Sequence, residues 1–465
     1  MHILYGMNNN KHRKKLLLIN PFNSYQADTI VDVNTISPPL GLGIVAALTP
    51  DDWDIEIIDE NFETFKYKEA DLVGFTALTS AVNRAYEIAK VYRDKEIPTV
   101  LGGIHASMLP EESLEYVDTV VIGEAESVWP SLVEDFENGE IKRKYRGELL
   151  SLENLPVARR DLFHRGYVQA NMQTTRGCPM SCDFCTVHQF NGSKYRQRPV
   201  EDVLDEMESL EYDRIFFVDD NIIGYSKKST ERAKKFFQGI IDRGIKKDWV
   251  CQASLNFGDD DEVLRLAAES GCRLVLIGVE SEKASQLQEA NKKLNLKRGA
   301  DSYNETFKKI NSYGISVLGA FIFGLDSDTK EDLFNRAEYI LDSDIDAIQS
   351  TIVTPLPGTR MFDRIKAEGR LVYDNFPKDW ERYYFMEPVH KPLLMTAEEL
   401  KESMDEIWMK LYDEKLMQKK MLRTIKKTRN IKAAVWAYFA NVERHNLTLP
   451  KNIKPVNVEK MLKGL

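Results

Sequence analysis

Three of the five cysteines stand within eight residues, in the run Thr175-Arg176-Gly177-Cys178-Pro179-Met180-Ser181-Cys182-Asp183-Phe184-Cys185, spaced C-x3-C-x2-C. Three thiolates on one loop can wrap a single metal centre. An iron–sulfur cube has four irons, so three cysteines leave one iron open to a small chelating molecule. Zinc is the competing chemistry, because His188 follows Cys185 by three and would complete a tetrahedral C-x3-C-x2-C-x2-H set. The other two cysteines, Cys251 and Cys272, lie apart in apolar surroundings and read as buried small hydrophobes. No paired disulfide framework fits this spacing.

Other residues with chemical potential stand at the ends of apolar runs. Phe217-Val218-Asp219-Asp220-Asn221 closes one such run with polar side chains, as a site for an ammonium group would need; a helix N-cap is the plainer alternative. Gly278-Val279-Glu280-Ser281, Phe323-Gly324-Leu325-Asp326 and Thr354-Pro355-Leu356-Pro357-Gly358-Thr359 close three more. Nearer the start come Ser37-Pro38-Pro39-Leu40-Gly41-Leu42-Gly43, Thr76-Ala77-Leu78 with Ser80, Gly102-Gly103-Ile104-His105 and Gly123-Glu124. Glycines there would let a bulky ligand approach the backbone, and the Thr76 and Ser80 hydroxyls could bond its polar groups.

These residues need elements to hold them. Strand-like runs at Leu16–Asn20, Ile55–Asp59, Leu72–Thr76, Thr99–Leu101 and Thr119–Ile122 alternate with helical stretches at Leu40–Leu48, Val82–Arg93 and Ser127–Glu137, which predicts a doubly wound parallel sheet. The pattern is irregular from about Gly147 to Gly166. A second alternation follows, with strands near Val168–Thr174, Arg214–Asp219, Val250–Ala253, Leu274–Val279, Ser316–Phe323 and Ala347–Thr351 and helices such as Val200–Leu210, Thr230–Arg243 and Tyr303–Tyr313. Six such units predict a partial or complete barrel with its site at the C-terminal strand ends. Beyond Arg370 the chain reads as mainly helical. The expected domains are therefore 1–146, a linker at 147–166, a barrel at 167–370 and a helical region at 371–465.

The cysteine spacing, the aromatic Phe184 before the last cysteine and the ordered strand-end motifs resemble the radical S-adenosylmethionine (SAM) enzymes. The first domain resembles the cobalamin-binding, Rossmann-like domain fused ahead of many of them. The resemblance covers about residues 16–370. It implies a [4Fe-4S] cluster on Cys178, Cys182 and Cys185, and SAM contacts at Phe184, Asp219, Asp220, Asn221, Gln252, Glu280 and Phe323. For cobalamin it implies contacts at Pro39, Leu40, Gly41, Thr76, Leu78, Ser80, Gly102, Gly103, His105, Gly123 and Glu124. The D-x-H-x-x-G segment that supplies a histidine to cobalt in the wider cobalamin family is missing, and His105 reads more simply as a loop hydrogen bonder. The implied activity is methyl transfer to an unactivated carbon, with one SAM supplying methyl and another cleaved to a radical that removes a substrate hydrogen. Ring formation or carbon–carbon coupling without methyl transfer is an alternative within the class. A cobalamin sensor or carrier with a structural metal site, or an ordinary flavodoxin-like sheet with turn glycines, are alternatives outside it. An electron donor such as ferredoxin or flavodoxin is an implied partner.

Composition removes other classes. The 465 residues carry a net charge of −10, against a general nucleic-acid binder. Gly41-Leu42-Gly43-Ile44-Val45-Ala46 fits a dinucleotide motif, but the first strand ends near Asn20, about 20 residues too early. No P-loop sequence occurs. The longest apolar stretch, Ala433 to Ala440, is far below the roughly 20 residues of a membrane span, and the N-terminal basic stretch lacks a signal peptide's apolar core, so a cytoplasmic protein is expected. Lys415 to Lys432 holds eight Lys/Arg and no acid, followed by Trp436, Tyr438 and Phe439. That pattern suits either peripheral attachment to an anionic membrane or a helix packed on the barrel. Tyr383, Tyr384, Phe385 and Met386 suggest an apolar pocket, hence a small-molecule or lipid substrate.

Overall fold

The computed structural model describes residues 13–23 and 36–448. Expectations falling on 1–12, 24–35 and 449–465, among them Lys11 of the basic stretch at the start of the chain, lie outside the described residues. Among the described residues fourteen strands appear in chain order. Six are parallel neighbours in the first sheet: β1 (Lys15–Asn20), β2 (Asp54–Asp59), β3 (Leu72–Thr76), β4 (Thr99–Gly102), β5 (Thr119–Ile122) and β6 (Lys144–Arg146). Their order is β2-β1-β3-β4-β5-β6, so the winding reverses between β1 and β3. Leu16 to Ile19 of β1 are all buried, because helices cover both faces and a central parallel strand must be apolar on both sides. The sheet expected from sequence is present, with β6 added. That strand escapes a search for apolar runs because only Tyr145 of Lys144-Tyr145-Arg146 is buried at this charged edge.

The second layer set is a parallel sheet of β7 (Ala170–Met172), β10 (Arg214–Phe217), β11 (Asp248–Ala253), β12 (Cys272–Glu280), β13 (Ser316–Phe323) and β14 (Ala347–Ile352), in the order β14-β13-β12-β11-β10-β7. Between β7 and β10 lies a small antiparallel pair, β8 (Thr175–Arg176) and β9 (Arg196–Gln197). The helix expected from Thr230 begins earlier, at Lys227, because Ser226 and Ser229 form a reciprocal capping box. Cys251 and Cys272 are buried in the barrel core.

Both lateral edges of this partial barrel are covered. At one, Asn171 of β7 gives its carbonyl to Arg160 at 2.8 Å and donates its amide to the Pro38 carbonyl at 3.2 Å. At the other, Asn441 accepts from the Ile348 amide at 3.0 Å and donates to the Asp346 carbonyl at 2.9 Å, while the Tyr412 hydroxyl bonds Ser350 and Ile348. Side chains thus replace a missing neighbour strand along β14. Asn441 belongs to the helix Ile431–Thr448, whose Ala437 packs against Val250, Leu274, Leu318 and Ala347. This helix fills the concave face of the barrel.

That placement agrees with the second of the two sequence expectations, a helix packed on the barrel. Tyr438 and Phe439 pack with Met417 and Met421, and Trp436 stacks under Arg214 and against the barrel. Lys420 is buried with its ammonium on the Ile345 carbonyl at 3.0 Å, and burial pushes it down to about 8. Lys427 pairs with Asp346 at 2.9 Å and Lys432 with Asp248 at 2.8 Å. The aromatic residues and three of the cations serve the fold. Among the described residues no helix is long and apolar enough to cross a membrane.

Candidate active site

β7 ends at Met172 and the chain turns at once into the cysteine loop. Asp219, fully buried past the end of β10, anchors that turn: its carboxylate accepts from the Thr174 amide at 3.0 Å and from the Thr174 and Thr175 hydroxyls at 3.1 and 2.5 Å. Burial pushes the Asp219 carboxyl up, opposed by Thr175 and by the nearby Arg232 charge. Gly177 takes φ of +89° where any Cβ would collide with the Lys194 carbonyl oxygen, so only glycine lets the loop pass so close to the 191–194 backbone.

Cys178, Cys182 and Cys185 line one cavity of about 550 Å³ with Phe184, Asp220, Gln252 and Glu280. Cys178 Sγ lies 3.4 Å from the Tyr225 hydroxyl, which is 3.3 Å from Ser254 Oγ. Burial pushes the Cys185 thiol up to about 12 and raises Cys182 as well. A thiol so placed keeps its proton until a metal cation takes the proton's place. Lys292 lies in the same wall, its Nζ 2.5 Å from Glu280 Oε1; burial works against its charge, and Glu280 and Cys182 outweigh burial. Glu280 itself holds φ of +65° at a bulge between β12 and β13, the strain being offset by this ion pair.

This donor set fits a four-iron cluster: three thiols outside any disulfide, on one loop, with a buried cation beside them. Among the described residues no three His, Cys, Asp or Glu side chains converge as a single metal ion requires. His188 Nε2 instead meets the Gln189 side chain at 3.3 Å, so the tetrahedral zinc set is not formed.

Three of the expected SAM contacts are elsewhere. Asp219 is consumed by Thr174 and Thr175. Asn221 is fully buried, its Oδ1 accepting from the Ile223 and Gly224 amides and its Nδ2 donating to Ser254. Phe323 is buried in the core with the Arg336 guanidinium over its ring at 5.0 Å, and its neighbours Phe321 and Ile322 line the cavity instead. Asp220 does face the cavity, with a buried Oδ2 that no protein group meets, and burial followed by the Asp219 charge pushes it up to about 6.

A second cavity, about 750 Å³, sits where the first sheet reverses, at the C-terminal ends of β1, β3, β4 and β5, the usual ligand crevice of such sheets. Leu40, Gly41, Thr76, Leu78, Ser80, Gly102, Gly103, Gly123 and Glu124 line it. A Cβ on Gly41 would project into open space, so this surface can take a bulky ligand, and a cobalamin fits the cradle. Pro39 does not line the cavity; its carbonyl starts the helix Leu40–Ala47 by accepting from Leu42 and Gly43. His105 is fully buried, with Thr79 at 3.3 Å, Glu112 at 3.2 Å and the Trp380 ring packed edge-on, and it does not line the cavity. Glu124 reaches the cavity rim, but its carboxylate is held by Arg176 at 3.2 Å and by Arg196.

Arg176 and Arg196, on the β8–β9 pair that flanks the cysteine loop, tie that loop to Glu124 at the rim of the second cavity, and sequence reasoning missed them. Arg176 also holds Glu126 at 2.7 Å. The signal was present: an arginine two residues before the first cysteine and an acidic pair in Gly123-Glu124-Ala125-Glu126. Lys292, Tyr225 and Ser254 carried no such signal, since each stands outside a motif.

Residues 28–133 match the B12 binding domain and residues 172–340 the radical SAM superfamily. Together they make this chain a cobalamin-binding radical SAM enzyme, whose cofactors are a [4Fe-4S] cluster, SAM and cobalamin. The chain is 29% identical to the bacteriochlorophyllide d C-12(1)-methyltransferase of Chlorobaculum tepidum over 94% of both chains. It is 27% identical to the hopanoid C-2 methylase of Rhodopseudomonas palustris over 74% of this chain and 67% of that one. The solved structure of the cobalamin-dependent SAM radical enzyme OxsB matches with a TM-score of 0.66 at 15% identity, over 97% of this chain and 75% of that one. TsrM from Kitasatospora setae, a radical SAM methyltransferase with cobalamin and [4Fe-4S] cluster bound, matches with a TM-score of 0.62 at 20% identity, over 83% of this chain and 84% of that one. The chain thus pairs a B12 binding domain with a radical SAM domain and is similar over most of its length to methyltransferases that carry the same pair.

Proposed function

We propose that the protein transfers a methyl group to an unactivated carbon of a small, largely apolar molecule bound in the cysteine-lined cavity. The observation that carries this reading is the adjacency of the two cavities: Val218 lines the cobalamin crevice and Asp220, two residues on, lines the cysteine cavity. When bound, the cluster and SAM supply hydrogen-atom abstraction and the cobalamin supplies the methyl group. The chain's part is positioning. Cys178, Cys182 and Cys185 hold the cluster. Phe184, packed on Ile322, Leu325 and Val353, offers an aromatic face, while Asp220, Gln252 and Glu280 offer polar groups to SAM. Leu40, Gly41, Thr76, Leu78, Ser80, Gly102, Gly103 and Gly123 would hold the cobalamin, and among the described residues no histidine lines that crevice. Leu276, Phe321, Ile322, Tyr384, Phe385 and Met386 exclude water from the reacting carbon, as a reactive intermediate requires. The same reading calls for a one-electron donor such as ferredoxin or flavodoxin. Hopanoid methylation by one relative agrees with an apolar substrate.

A second reading has its own support: the chain is 26% identical, over 76% of its length, to the anaerobic magnesium-protoporphyrin IX monomethyl ester cyclase of Cereibacter sphaeroides. Mass spectrometry of whole-cell lipid and pigment extracts with and without the gene separates the two. Methyl transfer gives a gene-dependent product one methylene heavier, with S-adenosylhomocysteine formed by the purified enzyme; a product lighter by hydrogens, without S-adenosylhomocysteine, overturns methyl transfer. Anaerobic reconstitution should give about four irons per chain, lost in Cys182→Ala. Stoichiometric zinc with no iron uptake would sink the reading as a whole.

A further inference from the structure

The helix Ile431–Thr448 that fills the barrel also contributes to the cavity, through Arg444 and Leu447. Arg444 is the exceptional group on an otherwise mostly apolar wall. Its Nη2 donates to Gln349 Oε1 at 3.0 Å, and its Nε is buried without an acceptor. Among the described residues no carboxylate stands within ion-pair distance of it. Three buried arginines of this molecule are ion-paired, Arg176 with Glu124 and Glu126, Arg196 with Glu124, and Arg336 with Asp328 and Glu282, whereas Arg232 is met by the Thr174 hydroxyl and backbone carbonyls. A guanidinium that lines a cavity without a counter-charge leaves its fork of donors open to an anionic ligand.

We propose that Arg444 binds a carboxylate on the substrate, setting which carbon of an otherwise apolar molecule faces the cysteine loop. The proposal rests on reading this cavity as the methyl-transfer site. A carboxylate is favoured over a phosphate because one guanidinium, held in place by Gln349, suits a planar monoanion, and phosphate sites usually gather several donors. Glu280 is neutralised by Lys292, which leaves Asp220 as the cavity's unpaired acid, close to the cysteine loop and Asn191. An anion would therefore be oriented with its charge toward the C-terminal helix and its apolar body toward Phe321, Tyr384 and Phe385.

The test uses the full-length, cluster-reconstituted protein with SAM bound and two probes of equal shape, naphthalene-2-carboxylate and naphthalene-2-carboxamide, titrated by calorimetry. Wild type should bind the carboxylate about tenfold or more tightly than the amide, the worth of one charge-assisted hydrogen bond. Arg444→Gln should abolish the difference while retaining its iron, and Arg444→Lys should keep a reduced preference. Equal affinity for the two probes in wild type, no binding of either, or a preference that survives in Arg444→Gln overturns the proposal. So does a weakened affinity for SAM in Arg444→Gln, which would assign the guanidinium to the cosubstrate. Gene-dependent methylation without a carboxylate preference would refute this inference alone. A preference in a protein that forms no S-adenosylhomocysteine would instead refute the methyl-transfer reading.

Discussion

Asp219 and Asp220 are adjacent and chemically identical, yet one is a structural clamp and the other faces the reactants. Successive side chains at a strand end point to opposite sides, and which side holds the cavity depends on the partner strands, so the sequence marked the pair without dividing it. Asp220 makes the difference measurable. Its carboxyl is raised to about 6, from the usual value near 4. The folded state thus binds the proton more tightly than the unfolded chain, and stability falls as pH rises from about 4 to 6. Asp220→Asn should therefore stabilise the cofactor-free protein by about 1–3 kcal/mol at pH 8, with the gain shrinking below pH 6 in thermal melts, while SAM binding weakens. His105 offers a second test. Replacing it by Gln should leave the cobalt(II) paramagnetic resonance spectrum of the bound cobalamin unchanged, with no nitrogen hyperfine splitting in either protein. A nitrogen pattern that vanishes in the variant would restore His105 as a ligand.

At the level of elements, the β8–β9 pair ties cluster loop to cobalamin domain. Its two arginines converge on Glu124, all three side chains being more than nine-tenths buried. Removing one partner of such a set leaves uncompensated buried charge and costs about 3–5 kcal/mol. Glu124→Ala should lower the melting temperature, speed proteolysis within 147–166 and release cobalamin, whereas Arg159→Ala, which removes an exposed pair with Asp161, should do none of these. Most strands of both sheets could be read from apolar runs because a covered parallel strand has to be apolar throughout. Val168–Thr174 shortened to β7 because its flanks feed side chains into the linker and the cysteine loop. β6, β8 and β9 were illegible for the opposite reason: they are two or three residues long and charged, and they form only because another surface is already there to pair with. Lys292 illustrates the same limit, since its role depends on Glu280, twelve positions back and on a different element.

On the scale of the whole molecule, the chain closes its barrel with its own C-terminal helix. Ala437 meets four strands of the barrel floor with 1% of its surface exposed. Ala437→Lys should destabilise the protein by several kcal/mol, about 3 or more by overpacking and burial of an unpaired charge, and should increase binding of anilinonaphthalene sulfonate. Lys419→Gln, on the outer face of the preceding helix, should leave both unchanged. The arrangement also has a bearing on how the protein is made. Ile431 follows the end of β14 at Ile352 by roughly 80 residues, so at ~5–20 residues per second the barrel strands wait about 4–16 s on the ribosome for the helix that fills them. During that interval the concave apolar face has no intramolecular cover. A newly made chain is then a natural client for a chaperone at the exit tunnel, and slow codons between β14 and the last helix would prolong its exposure.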